Sequence, residues 1–139
     1  MTVSEVMHVH IPTLSLESTV REAVDKLDIY QFPALIIVDA DKAPVAVITE
    51  GDLARAVGQK GDVVGLSGTR ALDFATLKPA VADLSLEVSE ALHLMLTQGL
   101  TVLPVIYEGR LSGIVLRVDL MQALLMDVAQ MLPQNGPNE

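Results

Sequence analysis

The fold is most constrained by a strand-to-helix corner that the chain contains twice. In the first copy, an apolar run at 45–48 is followed by Thr49 and Asp52, after which the pattern becomes helical. In the second copy, an apolar run at 114–116 leads in the same way to Asp119. A short, continuous apolar run is typical of a strand that is covered on both faces. Two such corners in 139 residues predict a duplicated α/β unit.

The rest of the chain repeats in step with these corners. An offset of 68 residues aligns Val20 with Val88, and an offset of 67 aligns Asp52 with Asp119. The offset changes within a hairpin turn, where insertions are tolerated. We therefore predict the following division: repeat 1 at 3–58, a glycine-rich linker at 59–70, repeat 2 at 71–128, and a helix end with a polar tail at 129–139.

Each repeat is predicted to have the order β-α-β-β-α. Thr19 and Glu22 have capping-box spacing and precede a helical apolar face, so a helix is expected at 19–30. The other predicted elements are strands at 34–38, 45–49, 102–107 and 111–116, and helices at 52–57, around 88–95 and at 118–131. Gly58 is expected to end the helix at 52–57, because glycine commonly follows a helix C-terminus.

The stretch at 58–69 contains four glycines. We interpret it as a linker loop, because a glycine cluster between two periodic segments is usually a loop. The alternative is a phosphate-binding loop, since glycines expose backbone N–H groups. The stretch lacks the Gly-Lys-Ser/Thr ending of a P-loop, which favours the linker.

Composition and charge exclude several classes of function. The sequence has no cysteine, so disulfides, thiolate metal sites and cysteine nucleophiles are excluded. The net charge of −9 disfavours binding to nucleic acid or to an anionic membrane surface. No apolar run reaches the roughly 18 residues of a membrane span, and the first residues do not resemble a signal peptide. We expect a cytoplasmic protein that binds neither nucleic acid nor membrane.

The two units resemble the CBS domain (cystathionine β-synthase domain), and a tandem pair of them resembles a Bateman module. The resemblance covers residues 3–128 and rests on Leu103-Pro104-Val105 before the second hairpin, on Gly113 after it, and on the Asp at the start of each last helix. It implies an α/β fold in which two β-α-β-β-α CBS repeats pack as one pseudo-two-fold Bateman module.

The resemblance also implies a ligand that contains adenosine, held in the cleft between the repeats. In this family the nucleotide-binding pattern is Gly-h-h-Thr/Ser-x-x-Asp, in which the Asp holds ribose hydroxyls and the Thr helps to hold phosphate. The first copy keeps Thr49 and Asp52 but has Ala46 in place of the Gly. The second copy keeps Gly113 and Asp119 but has Leu116 in place of the Thr. The basic residue that many members carry before Leu-Pro is replaced by Val102, and by Ala34 in the first copy.

The resemblance thus indicates a set of ligand-binding residues from both repeats. These are Thr49, Asp52, Asp119, Gly113, Arg117, Thr13, Leu35, Ile37, Leu103, Pro104 and Val105. Spacing alone also allows a purely structural interpretation, in which Asp52 and Asp119 are helix N-caps worth about 1 kcal/mol each. In the same way, Thr49 can be an ordinary β-branched strand residue.

The histidines offer one alternative chemistry. In an extended strand, His8 and His10 would point to the same side and could both bind a metal ion. No third ligand is evident near them, so we expect no metal site. No nucleophile–base constellation is evident either, and we expect no enzyme activity.

Two functions remain from different classes. The first is a stand-alone regulatory module that senses AMP, ADP, ATP or S-adenosylmethionine without needing an obligatory cofactor. The second is a ligand-free interaction or scaffold protein with degenerate pockets. The final helix is apolar over more than half of its circumference, which predicts a homodimer. A regulated enzyme or transporter is the expected further partner.

Overall fold

The computed structural model describes residues 1–59 and 61–131, which form two α/β repeats. The helices are α1 (Val20–Tyr30), α2 (Glu50–Gln59), α3 (Val63–Ser67), α4 (Val88–Gln98) and α5 (Arg117–Met131), with short 3₁₀ turns at Val3–Glu5 and Ala71–Phe74. The strands are β1 (Thr13–Leu14), β2 (Ala34–Val38), β3 (Pro44–Thr49), β4 (Thr76–Leu77), β5 (Ala82–Asp83), β6 (Val102–Tyr107) and β7 (Arg110–Leu116).

Helix α1 has the ends that its sequence predicts. The Thr19 hydroxyl accepts a hydrogen bond from the Glu22 N–H at 3.2 Å, and the Glu22 carboxylate accepts one from the Thr19 N–H at 3.0 Å. The helix ends at Gln31, which adopts the left-handed conformation (φ 58°). The prediction for 19–30 is therefore confirmed, as are those for β2 and β6.

Helix α2 differs from its prediction at both ends. It begins at Glu50 rather than Asp52, because Thr49 caps it, and it runs through Gly58 to Gln59. The expectation that Gly58 ends the helix was wrong. No Cβ at Gly58 would meet a neighbouring atom within 4 Å, so close packing does not require glycine at this position.

The glycine-rich stretch is not a simple loop, as the linker interpretation had it. It contains helix α3, whose first turn is capped by Asp62, since the Asp62 carboxylate accepts from the Gly65 N–H at 2.9 Å. Leu66 of α3 is only 5% exposed and belongs to the core of the first repeat. The burial of Leu66 and the N-cap at Asp62 therefore stabilise a helix here despite the low helix propensity of the glycines.

The two sheets have matching topologies. In the first, β1 is parallel to β2, and β2 is antiparallel to β3. In the second, β5 is parallel to β6, and β6 is antiparallel to β7. The register shifts at Ile37/Val38 in one hairpin and at Val105/Ile106 in the other, which are equivalent positions. The duplication predicted from sequence is thus present in the details of strand pairing.

Each sheet is completed by the segment that leads into the other repeat. Strand β4 lies at the start of the second repeat in sequence, yet it pairs with β3 of the first. At the start of the chain, His8 pairs with Ile114 of β7, donating its N–H at 2.8 Å and accepting at 3.0 Å. These exchanged segments bring residues of both repeats to each strand-to-helix corner.

Three apolar clusters hold the fold together. One lies within each repeat, and the third joins the two sheets through Ala34, Ile36, Val102 and Ile114. Burying a side chain of this size stabilises the folded state by about 1.5–3 kcal/mol relative to leaving it in water. Strand β2 contributes to both its own core and the inter-sheet cluster, which explains why all of its residues are apolar.

Across residues 1–59 and 61–131, no helix is both long and apolar enough to cross a bilayer.

Candidate functional site: the clefts between the repeats

A cleft of about 340 Å³ lies between the repeats beside the first strand-to-helix corner. We call it the first cleft. It is lined by Val47, Thr49, Thr76, Lys78, Pro79, Ala80, Gln98, Gly99, Leu100, Thr101 and Val102. The first two residues come from β3, and the others come from β4 and the second repeat. The first cleft is therefore formed only when the two repeats pack together.

Thr49 lines this cleft and forms two reciprocal hydrogen bonds with Asp52, which is not itself a lining residue. The Asp52 carboxylate accepts from the Thr49 N–H at 2.9 Å, and the Thr49 hydroxyl oxygen accepts from the Asp52 N–H at 3.0 Å. This is a reciprocal cap, with Asp52 at the third helical position rather than at the N-cap. The interpretation of Asp52 as the helix N-cap is therefore wrong, because the N-cap is Thr49 and Asp52 supplies the reciprocal hydrogen bond.

The Asp52 carboxylate keeps capacity for a further partner. Its second oxygen accepts from the Arg55 guanidinium at 2.8 Å, and its side chain is 16% exposed. An ionised carboxylate offers about four acceptor positions, of which these contacts use two. Arg55 is mostly exposed, so this ion pair can yield to a ligand at low cost.

Lys78 adds a positive charge that the sequence analysis missed. It lines the first cleft and adopts a left-handed conformation (φ 53°), while its N–H donates to the Val45 carbonyl at 3.2 Å. The resemblance pointed to position 102 for a basic residue, where the chain has Val102, and the structure buries it. Lys78 directly follows the two-residue strand β4, which is too short to produce a periodic pattern.

The second corner has the same cap but a different neighbour. The Asp119 carboxylate oxygen Oδ2 accepts from the Leu116 N–H at 2.9 Å, as its counterpart does in the first repeat. The same oxygen also contacts His8 Nε2 at 2.9 Å. The imidazole packs edge-on against the Phe32 ring, with 5.6 Å between the ring centroids. His8 was considered as a metal ligand from sequence, but the structure turns it toward a carboxylate instead.

Gly113 is required by this arrangement. A Cβ at Gly113 would lie 2.5 Å from the His8 carbonyl oxygen and 2.9 Å from the Met7 sulfur. Real Cβ atoms do not approach backbone this closely, so the glycine permits the N-terminal segment to pair with β7. The first repeat has Ala46 at the equivalent position, buried beside Leu77 of β4. The role that the structure supports for Gly113 is close packing of the backbone.

The other predicted ligand-binding residues lie away from the first cleft. Thr13 lines a depression beside Val38 and Lys42, and Arg117 lines one on the outer face of the helices. The side chains of Leu35 and Ile37 are buried in the first core, and those of Leu103 and Val105 in the second, each at most 1% exposed. Pro104 is buried in β6 opposite Ile114. Of the predicted set, Thr49 alone is among the lining residues of the first cleft.

Two α/β repeats that exchange edge segments and enclose a cleft between them define a paired-repeat module. A model of the CBS domain matches residues 3–59 and 71–126. The chain therefore belongs to the CBS domain family, and its two repeats form a CBS pair.

Solved structures show the same architecture. The chain resembles CBSX2 in complex with AMP with a TM-score of 0.79 and 23% identity, over 91% of this chain and 98% of that one. It resembles the CBS domain pair of protein MJ0100, in complex with 5′-methylthioadenosine and S-adenosyl-L-methionine, with a TM-score of 0.75 and 22% identity, over 91% and 98% of the two chains. These likenesses establish the fold.

Among curated proteins, a 17.7 kDa protein of Acidianus ambivalens is 29% identical over 129 residues, which is 88% of this chain and 73% of that protein. Relatives from Methanopyrus kandleri and Methanocaldococcus jannaschii are longer, and the chain spans 62% and 46% of their lengths.

Proposed function

We propose that the protein is a regulatory module that binds a ligand containing adenosine in the first cleft. The observation that carries this proposal is the Thr49–Asp52 pair, because Thr49 lines a cleft built by both repeats and Asp52 is hydrogen-bonded to it. A volume of about 340 Å³ lies at the lower end of the range for small-molecule sites. The AMP and S-adenosyl-L-methionine complexes of related CBS pairs support adenosine as the common ligand part.

The residues of the cleft suit the parts of such a ligand. The Asp52 carboxylate can accept from vicinal ribose hydroxyls, and apolar residues such as Val47 and Leu100 can contact the base. A phosphate would lie near the N-terminus of α2, the Thr49 hydroxyl and the Lys78 ammonium. With one lysine in the cleft and a net charge of −9, we expect ligands with few phosphates to be preferred.

The test is a calorimetric titration with AMP, ADP, ATP and S-adenosylmethionine in the absence of magnesium. AMP or S-adenosylmethionine should bind at least as tightly as ATP. ATP binding that is about tenfold tighter, or roughly 1.4 kcal/mol, would contradict the charge argument. A thermal-shift assay gives an independent reading, because a ligand at 100 times its dissociation constant stabilises the protein by about 2.7 kcal/mol.

The second candidate is a ligand-free interaction module. Ala46, Leu116 and Val102 depart from the nucleotide-binding pattern, and the second corner is occupied by His8. This function predicts that none of the four ligands changes the melting temperature. Any saturable shift that disappears in Asp52→Ala would exclude it.

The helices on the outer face support a homodimer, with a second copy of the chain as the partner. Val118 and Met121 of α5 and Leu96 of α4 are 47–61% exposed and line a shallow depression of about 520 Å³. Leu125, also on α5, is 65% exposed. The equivalent face of α1 and α2 has a depression of about 650 Å³ that includes Val24 and Val57. Paired apolar faces of this kind are typical of self-complementary interfaces.

The 3₁₀ turn at Val3–Glu5 does not cover this face. Val3 is fully buried in the second core, on the other side of the exposed α5 residues. Leu132, which the sequence pattern assigns to the apolar face of the final helix, lies outside the described residues. Sedimentation equilibrium should show a species of about twice 14.9 kDa. Met121→Glu should shift it toward the monomer, because a desolvated carboxylate costs free energy in an apolar interface.

A further inference from the structure

The two corners can be compared residue by residue through the offset between the repeats. His8 is equivalent to Thr76, because His8 pairs with Ile114 as Thr76 pairs with Val47. Phe32 is equivalent to Leu100, since both occupy the second position after the helix of their repeat. Thr76 and Leu100 both line the first cleft. The positions that line the open cleft of one corner are thus filled by two aromatic rings at the other.

The two rings and the carboxylate form a continuous contact. His8 Nε2 lies 2.9 Å from Asp119 Oδ2, and the imidazole meets the Phe32 ring at an interplanar angle of 77°. The backbone of His8 is fixed by two hydrogen bonds to Ile114 and by the close approach to Gly113. The His8 side chain is 40% exposed, whereas that of Asp119 is 19% exposed. The imidazole therefore occupies one acceptor position of a carboxylate that is about as exposed as Asp52, whose side chain is 16% exposed.

At the second corner, the His8 imidazole lies at the position where the first corner would receive its proposed ligand. Asp52 is the counterpart of Asp119. Among residues 1–59 and 61–131, the side chain that pairs with Asp52 across its second oxygen is Arg55 of the same helix. Asp119 is contacted by a residue 111 positions away in sequence, which arrives with the exchanged N-terminal segment. Leu116 also leaves this corner without the hydroxyl that Thr49 supplies.

We propose that His8 is a built-in occupant of the second corner and that it restricts the module to one ligand per chain. His8 and Phe32 fill the space that Thr76 and Leu100 leave open, and the imidazole takes the acceptor position on Asp119 that a ligand hydroxyl would use. His8 thus determines which of two equivalent corners binds. The ligand part of this inference rests on the function proposed above, whereas the occupancy by His8 can be tested without any nucleotide.

The first test uses chemical rescue. His8→Ala removes the ring and leaves a space between Phe32 and Asp119 that free imidazole fits. Imidazole at millimolar concentration should raise the melting temperature of His8→Ala and leave that of the unmodified protein unchanged. His10→Ala is the matched control, because His10 is an exposed histidine on the same segment. Equal effects of imidazole on both variants, or none on His8→Ala, would overturn the proposal.

The second test transfers the first cleft to the second corner. The triple variant with His8→Thr, Phe32→Leu and Leu116→Thr carries the residues of the open corner at the two ring positions and at the missing hydroxyl, which are three of the lining positions that differ. With AMP as the probe, calorimetry should give about one site per chain for the unmodified protein and about two for the variant. Two sites in the unmodified protein would overturn the proposal. If AMP does not bind at all, the proposed function fails, while imidazole rescue still decides the role of His8.

Discussion

Asp52 and Asp119 hold the same position in their helices, yet different side chains reach them. Both accept from the backbone N–H three residues earlier, at 2.9 Å in each case. Asp52 then pairs with Arg55, whereas Asp119 pairs with His8. The shared hydrogen bond gives both aspartates a role at the start of a helix. In the function proposed above, binding would depend on the neighbours that the exchanged segments supply.

The largest loss of stability is expected from core leucines, and it should be similar in the two repeats. Leu53→Ala and Leu120→Ala each remove an equivalent leucine that is at most 2% exposed, and each should lower the free energy of unfolding by about 2–5 kcal/mol. Urea denaturation followed by circular dichroism measures the loss. A loss confined to one repeat would show that the two cores are not equivalent in energy.

The next largest difference in stability is expected between substitutions at Gly113 and at Ala46, which occupy equivalent strand positions. Gly113→Ala should destabilise the protein by about 1–3 kcal/mol, because the new Cβ would overlap the His8 carbonyl. The reverse change, Ala46→Gly, should cost only about 0.5–1 kcal/mol from chain entropy and lost packing. The same denaturation experiment compares them. A harmless Gly113→Ala would mean that the N-terminal segment is not held closely against β7.

Substitution of the two aspartates should have similar effects on stability but different effects on ligand affinity. Asp52→Ala and Asp119→Ala should each reduce the free energy of unfolding by about 1 kcal/mol through loss of the cap. Only Asp52→Ala should also weaken AMP binding, by about 1–3 kcal/mol or roughly 5- to 150-fold, because buried ribose hydroxyls lose their acceptor. Calorimetric titration provides the comparison. Equal or reversed losses in affinity would refute the ranking of the clefts.

The smallest effect is expected at Lys78. Lys78→Met keeps most of the aliphatic stem and removes the charge, so AMP affinity should fall by about 0.2–1 kcal/mol, and less at high salt. Adenosine, which has no phosphate, serves as the matched ligand and should bind both proteins equally. A similar loss for adenosine would place Lys78 against the nucleoside instead of the phosphate.

The repeat, the order of elements and the fold family follow from sequence because they depend on local patterns. The capping box at Thr19, the apolar runs of β2 and β6, and the two Asp positions each act over a few residues. Because the unit is duplicated, an element with a weak pattern in one repeat can be predicted from the equivalent element in the other. Helix α3 was missed because its stability comes from Leu66 reaching a distant core, which four glycines conceal.

The site depended on contacts between residues far apart in sequence. The local pattern separates Asp52 from Asp119 by Thr49 at one corner and Leu116 at the other, and sequence identified both aspartates as ligand-binding candidates. The tertiary structure adds Lys78 at one corner and His8 at the other, each carried there by a segment with one or two paired residues. Such short segments have no periodicity of their own. Their place is decided by the backbone hydrogen bonds that complete each sheet, and these form only when the two repeats pack together.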